Sequence, residues 1–156
     1  MDCNRGDGGD CKPETTDPDP VEDKGRTIAF TAKLAICNSY PTHKGPLIFT
    51  NVLVNEGDGY SPNNGIFTCP RSGFYHFDVH ASTYGRAQFM LYKNGQNVVS
   101  AYHTTLSDRR SQMASIGSVI QLSEGDKVWV ELWGCGRNDI FATVDNDTVF
   151  LGFRFG

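Results

Sequence analysis

The stretch FTNVLVNEGDGYSPNNGIFTCPRSGFYHFDV, residues 49–79, decides the fold of this chain. Its last part, residues 73–79, alternates large apolar side chains with polar ones. A period of two is typical of a β-strand with one buried face. Glycines and acidic residues at 56–59 predict a turn between this strand and an earlier apolar run. We therefore expect the aromatic residues of the stretch to meet in the core of a β-structure.

Strand signals separated by turn signals continue along the rest of the chain. The clearest hairpin turns at Asn94-Gly95, because this dipeptide favours the type I′ turn. No window shows a capped helical period. So many short strands exceed one open sheet and predict an all-β fold, a two-sheet jelly-roll sandwich. The predicted strands are Ala29–Ala35, Leu47–Val54, Gly65–Thr68, Phe74–Ala81, Ala87–Tyr92, Asn97–Ala101, Met113–Leu122, Lys127–Trp133 and Val149–Phe155.

Charge divides the chain into two parts. Residues 1–25 hold eight acidic and three basic residues with few apolar ones, which predicts a flexible acidic tail or linker. Residues 26–156 hold ten acidic and eleven basic residues and are predicted to form one globular domain. A nearly neutral domain attracts nucleic acid weakly, so no nucleic-acid partner is expected. No apolar run approaches the roughly 20 residues of a membrane span, so no membrane insertion is expected either.

Seven residues of the quoted stretch are spaced as Phe, five residues, Asn, four residues, Tyr, six residues, Phe, five residues and Gly-x-Tyr-x-Phe. This spacing resembles the signature of the C1q domain family, with Val79 where the family has another aromatic residue. Residues 125–129 resemble the family's turn into a late strand, and residues 145–153 its closing strand. The resemblance extends from about residue 27 to residue 155. It implies a homotrimer of wedge-shaped subunits, an extracellular location and ligand binding through exposed loops.

The signature residues are predicted to build the core rather than to carry chemistry. Their rings come from different strands, and together they can fill the space between two sheets. Gly73 and Gly152 stand where a side chain would obstruct close strand packing or a bend. The predicted structural residues are Phe49, Asn55, Tyr60, Phe67, Gly73, Tyr75, Phe77, Phe150, Gly152 and Phe153, with every Phe and Tyr among them placed inward.

The sequence predicts a protein that is not an enzyme and requires no cofactor. His76 and His80 fall on the face opposite the aromatic stripe, so they point to solvent or to a neighbouring subunit. No nucleophile elbow and no phosphate-binding glycine loop is present. Some relatives bind calcium near the trimer apex through acidic groups. Here Asp108 is the only carboxylate in the corresponding loop, residues 104–111, so a calcium ion would depend on it.

Two loops are candidates for binding a glycan or a cell-surface protein. Loop 104–111 contains Asp108, Arg109 and Arg110, and exposed adjacent arginines can pair with carboxylates or sulfates. The alternative for this loop is a solvated segment without a ligand. The second loop follows Trp133, predicted to be exposed, and an aromatic beside polar groups suits a carbohydrate or protein contact. Its polar candidates are Arg137, Asn138 and Asp139, and the alternative there is rim or interface packing.

The tail contains a tripeptide that integrins read, Arg5-Gly6-Asp7. Cys3 and Cys11 flank it and can close a local loop around it. The resemblance also offers a second use for these two cysteines, since paired N-terminal cysteines link trimers of cerebellin-type relatives into larger assemblies.

The odd number of cysteines leaves the disulfide pairing open. The cysteines are Cys3, Cys11, Cys37, Cys69 and Cys135, and the sequence does not choose whether Cys135 pairs with Cys37 or with Cys69. In an exported chain, Asn146-Asp147-Thr148 is an acceptor sequence for a glycan on Asn146.

Three functions compete. The leading hypothesis is a secreted, trimeric pattern-recognition or lectin-like protein of innate defence, in which three weak sites act together by avidity. The second is an extracellular signalling ligand of the cerebellin or adipokine kind that binds a receptor protein. The third is a structural component of an extracellular matrix or secretion.

Overall fold

A computed structural model describes residues 27–37, 44–103, 110–133 and 138–156. The described residues form ten β-strands and contain no helix, which confirms the all-β prediction. The acidic tail, residues 1–25, lies outside them. The strands are β1 (Ala29–Lys33), β2 (Asn51–Glu56), β3 (Phe67–Thr68), β4 (Gly73–Thr83), β5 (Ala87–Lys93), β6 (Gln96–His103), β7 (Gln112–Leu122), β8 (Lys127–Leu132), β9 (Ile140–Phe141) and β10 (Val149–Arg154).

The strands form the two antiparallel sheets of a jelly-roll sandwich. The larger sheet has six strands in the order β2-β1-β10-β4-β7, with β9 paired to the end of β4. The smaller sheet has the order β3-β8-β5-β6. Strand β9 has only two residues and was not predicted, because a run this short carries no periodic signal. Each of the nine predicted strands has a counterpart, although β2 begins at Asn51 rather than Leu47.

Aromatic rings packed around Phe30 form the centre of the core. The Phe30 ring stacks on Tyr60 with centroids 5.0 Å apart and meets the edge of Phe150 at 4.9 Å. Phe67 stacks on it from the smaller sheet at 5.2 Å. Six of the predicted core rings are at most 3% exposed, namely Phe49, Tyr60, Phe67, Tyr75, Phe77 and Phe150.

Phe153 is wrongly predicted as a core residue. It is 41% exposed and lies on the outer face of the larger sheet, whereas Phe150 is fully buried. The two residues are three positions apart in one strand, and an odd spacing places side chains on opposite faces.

Asn55 and Tyr60 explain why the signature has polar atoms inside an aromatic pattern. The Asn55 side chain donates to the Tyr60 carbonyl at 2.8 Å and accepts from the Tyr60 amide at 3.2 Å. The Tyr60 hydroxyl donates to the Phe49 carbonyl at 2.7 Å and accepts from the Phe49 amide at 3.0 Å. Burial raises the pKa of Tyr60 to about 12, so the hydroxyl keeps its proton for this bond.

Gly152 lies against the rings of the core, as the sequence predicted. A Cβ atom at this position would stand 2.5 Å from the Phe77 ring and 2.9 Å from the Phe30 ring. Real Cβ atoms do not approach ring carbons so closely, and both rings are held by the packed core. Gly73 is comparable, since a Cβ there would meet the Arg154 side chain at 2.6 Å and the Gly156 carbonyl at 2.8 Å.

We expect Gly152→Ala to lower the free energy of unfolding by about 1–3 kcal/mol, because the added methyl overpacks the core. Urea unfolding followed by tyrosine fluorescence measures the change. Gly156→Ala is the matched control, since its Cβ would meet only Phe74 at 3.8 Å, an ordinary contact. Equal stabilities of the two variants would contradict the packing described for Phe30.

Candidate functional site

The end of the second candidate loop, at Asn138 and Asp139, fixes the start of β5 through hydrogen bonds. The Asn138 side-chain carbonyl accepts from the Gln88 amide at 2.7 Å, and the Asp139 carboxylate accepts from the Arg86 amide at 2.8 Å. Asn138 is only 1% exposed. Its predicted role as an exposed ligand contact is therefore corrected to that of a buried residue that fixes the end of a strand. Asp139 also donates its amide to the Arg86 carbonyl at 2.8 Å.

Three side chains stand side by side on the outer face of the smaller sheet, and we call them the aromatic row: Tyr102, Gln88 and Trp133. Gln88 of β5 pairs directly with Tyr102 of β6, and the Trp133 amide donates to the Gln88 carbonyl at 3.0 Å. The Tyr102 and Trp133 rings stack with centroids 5.6 Å apart. Gln88 is 4% exposed, while Tyr102 is 61% exposed.

A second aromatic pair lies farther along the same face. Tyr92 pairs with Trp129 across β5 and β8, and their ring centroids are 5.8 Å apart. The Trp129 indole N–H donates to the Glu131 carboxylate at 2.8 Å. The indole N–H of Trp129 therefore has an acceptor, whereas that of Trp133 in the aromatic row has none among the described residues.

The outer face of the larger sheet carries exposed apolar side chains on three adjacent strands. Register places Phe153 of β10 and Val119 of β7 on either side of His76 of β4. We call the exposed apolar residues of this surface the β4–β7–β10 face: Phe74 (43% exposed), Met113 (50%), Val119 (57%) and Phe153 (41%).

A polar stripe runs through the middle of this face along β4. The His76 ring nitrogen Nε2 lies 2.7 Å from the Asp78 carboxylate, and His80 Nδ1 lies 2.8 Å from the Ser115 hydroxyl. His76 also packs against the Phe153 ring at 5.3 Å. Both histidines lie opposite the aromatic core, as the alternation of β4 predicted.

Many predicted site residues lie outside the described part of the chain. They are Cys3, Arg5, Gly6, Asp7, Cys11, Asp108, Arg109, Cys135 and Arg137. Of loop 104–111 the structure describes Arg110 and Ser111, and both are exposed. The integrin, calcium and disulfide-linkage hypotheses therefore stay predictions.

Cys69 is a buried free thiol. Its Sγ lies 3.1 Å from the Arg71 carbonyl and 3.5 Å from the Tyr75 hydroxyl. Burial raises the pKa of Tyr75, and the neighbouring Cys69 raises it further. Cys37 is half-buried and pairs with Ala142 through both backbone amides at 3.0 Å.

The predicted acceptor sequence forms a tight turn before β10. Asn146 is exposed in a left-handed conformation, φ 60°, and its side-chain oxygen accepts from Lys33. Thr148 is buried and donates to the Phe141 carbonyl at 2.7 Å. The exposed amide is accessible for modification, and glycosylation stays a prediction.

Asp147 caps the same turn. Its carboxylate accepts from the Thr143 amide at 2.9 Å and the Thr143 hydroxyl at 3.0 Å. Burial alone would raise the pKa of Asp147, but these hydrogen bonds outweigh it and hold the pKa below its ordinary value.

Within residues 27–37, 44–103, 110–133 and 138–156, no three histidine, cysteine, aspartate or glutamate side chains come together in an arrangement that could hold a metal ion. The same residues include no helix long and apolar enough to cross a membrane.

A family model described as C1q domain matches residues 29–154. The chain belongs to the C1q domain family. The resemblance stated from the spacing of seven residues is confirmed.

Two relatives of this C1q domain are C1q and tumor necrosis factor-related proteins of Homo sapiens. Protein 9A is 37% identical over 127 residues, which cover 80% of this chain and 38% of that protein. Protein 5 is 36% identical over 126 residues, covering 80% of this chain and 52% of the relative. The chain therefore spans about half or less of the length of these curated relatives.

A solved structure similar to this C1q domain is the globular domain of zebrafish complement 1qA protein. The TM-score is 0.67 at 29% identity, and the match covers 83% of this chain and 98% of the other.

Tyr102 and Gln88 were not among the predicted site residues. Sequence offers no direct signal for their pairing, because a bulge between Leu91 and Tyr92 shifts the hairpin register by one residue. Without that bulge the Asn94-Gly95 turn would place Ala101 opposite Gln88.

We expect the free energy of unfolding of Asp147→Asn to fall less steeply than that of the wild type as pH is lowered into the acid range. The ionised Asp147 stabilises the fold above its unfolded-state pKa of about 3.9, and this contribution is lost as pH falls through the lower folded-state pKa. Urea unfolding from about pH 5 to about pH 2 at one protein concentration measures it. Identical pH slopes for the two proteins would show that Thr143 does not stabilise the charged form.

Proposed function

We propose that this chain is a secreted, non-enzymatic recognition module that assembles as a homotrimer through the β4–β7–β10 face. The observation that carries the proposal is that face itself. Four large apolar side chains, each at least 41% exposed in the single subunit, lie on neighbouring strands of one sheet. Exposed apolar side chains concentrated on one face of a soluble protein mark an interaction surface. Membership of the C1q domain family supports the same assignment.

The polar stripe within the face suits an interface better than catalysis. His80 and Ser115 form the pair that a serine hydrolase would use as base and nucleophile. The nearby Asp78 carboxylate is paired with His76 instead, at 2.7 Å. Ser115 also lies within the long strand β7 rather than on a sharp turn. In a buried interface these polar pairs fix the orientation of the subunits.

Two ligand classes remain for the exposed parts of the trimer. A glycan is favoured by the aromatic row, where stacked rings lie beside two buried polar atoms that have no hydrogen-bond partner among the described residues. A receptor protein is favoured by the identity of 36–37% to C1q and tumor necrosis factor-related proteins 5 and 9A. In the lectin-like role, the weak single sites of one trimer would act together by avidity.

We expect light scattering after size exclusion to give about three times the subunit mass of 17.2 kDa at micromolar concentration. Val119→Asp should shift this assembly to monomer, because it buries a charge without a partner at the subunit contact. Val98→Asp is the matched control, an exposed valine on a strand of the smaller sheet. A wild-type mass near one subunit, or a trimer unaffected by Val119→Asp, would overturn the proposed assembly.

Two assays on the same purified trimer discriminate the two ligand classes. One is binding to a printed array of defined glycans, and the other is capture of the trimer by cell-surface proteins. Saturable binding to particular glycans supports the lectin-like function. A blank array combined with nanomolar capture by one receptor protein supports the signalling ligand and contradicts the lectin.

A further inference from the structure

Two buried polar atoms of the aromatic row have no hydrogen-bond partner among the described residues. They are the Gln88 side-chain carbonyl Oε1 and the Trp133 indole Nε1. Nearly all buried polar groups of folded proteins are paired, so two unpaired atoms on adjacent residues need an explanation. One atom is an acceptor and the other a donor.

The Gln88 amide and carbonyl and the Trp133 amide are all hydrogen-bonded, so the two unpaired atoms do not result from a frayed strand end. The Gln88 amide donates to Asn138 at 2.7 Å, and the Gln88 carbonyl accepts from the Trp133 amide at 3.0 Å. The strand ends are therefore fixed, and Gln88 is held in place without its Oε1. The comparable indole of Trp129 donates to Glu131. The sheet can thus satisfy an indole on this face, but at Trp133 it does not.

The Tyr102 ring covers Gln88 from outside. It is 61% exposed and stacks on Trp133, so solvent reaches the ring but not the atoms beneath it. Exposed side chains change rotamer in picoseconds to nanoseconds. A rotation of Tyr102 away from Trp133 would open the face of the indole together with both unpaired atoms.

We propose that the aromatic row is a saccharide-binding site. A sugar ring would stack its C–H face on the exposed Tyr102 ring and approach the edge of the Trp133 indole. One hydroxyl would donate to Gln88 Oε1, and a neighbouring hydroxyl would accept from Trp133 Nε1. Each hydroxyl group of a sugar can both donate and accept a hydrogen bond, so two adjacent hydroxyls can bind the acceptor of Gln88 and the donor of Trp133. Tyr102 would close over the bound ring. This inference deepens the proposed function and rests on it, because three such weak sites gain strength only in the assembled trimer.

The test uses the 156-residue chain and four free sugars, namely glucose, mannose, galactose and N-acetylglucosamine. Isothermal titration calorimetry should show saturable binding of at least one of them to the wild-type trimer. We expect Gln88→Leu and Trp133→Phe each to weaken it by about tenfold or more, the loss of one buried hydrogen bond and its desolvation. Trp129→Phe and Tyr92→Phe, at the second aromatic pair, should bind as the wild type does.

A second measurement locates the site. The chain has two tryptophans, so Trp129→Phe leaves Trp133 as the only indole. Its fluorescence should shift on titration with the sugar that binds and stay constant with the others. Light scattering on every variant shows whether the trimer persists. Gln88→Leu should retain it, since the removed Oε1 makes no hydrogen bond in the described structure.

Three outcomes would overturn the saccharide site while leaving the proposed function intact. The first is a trimer that binds none of the four sugars. The second is sugar binding lost equally on Trp129→Phe and Trp133→Phe, and the third is sugar binding unaffected by Gln88→Leu. A monomeric wild type would instead overturn the proposed assembly.

Discussion

The packing of aromatic rings around Phe30 is the interaction on which the rest of the structure depends. Rings from both sheets meet there at 4.9–5.2 Å, and Gly152 leaves the space in which Phe30 and Phe77 fit. Because this core uses one face of each sheet, the opposite faces are left to interact with other molecules. The fold therefore combines a filled interior with two outer faces, and the proposed assembly and ligand binding would use one face each.

The core could be predicted from sequence because its residues obey a local rule. Alternation along β4 places Tyr75 and Phe77 inward without knowledge of any partner strand. The same rule shows why the prediction of an inward Phe153 was wrong. Phe153 lies three residues after the buried Phe150, and an odd spacing places it on the opposite face. Phe30 was missed because it stands outside the spaced signature, although it lies at the centre of the ring cluster.

The candidate site was predicted only in part, for reasons of register. Trp133 was predicted to be an exposed aromatic beside polar residues, but its side chain is half-buried and its indole nitrogen is buried. Its neighbours depend on the bulge at Val98 of β6, which brings Gln88 of β5 opposite Tyr102 and which no local sequence pattern predicts. Asn138 was selected for its polarity, yet its side chain serves the backbone of a neighbouring strand. Polarity in a loop does not distinguish ligand contacts from strand-end hydrogen bonds.

In a homotrimer assembled through the β4–β7–β10 face, that face is covered while the outer face of the smaller sheet stays open. Hydroxyl-radical footprinting of the intact protein, read by mass spectrometry, tests this directly. We expect little labelling of Met113 and Phe153, which are 50% and 41% exposed in one subunit, and strong labelling of Tyr102. Labelling of Met113 and Phe153 in proportion to their single-subunit exposure would contradict it.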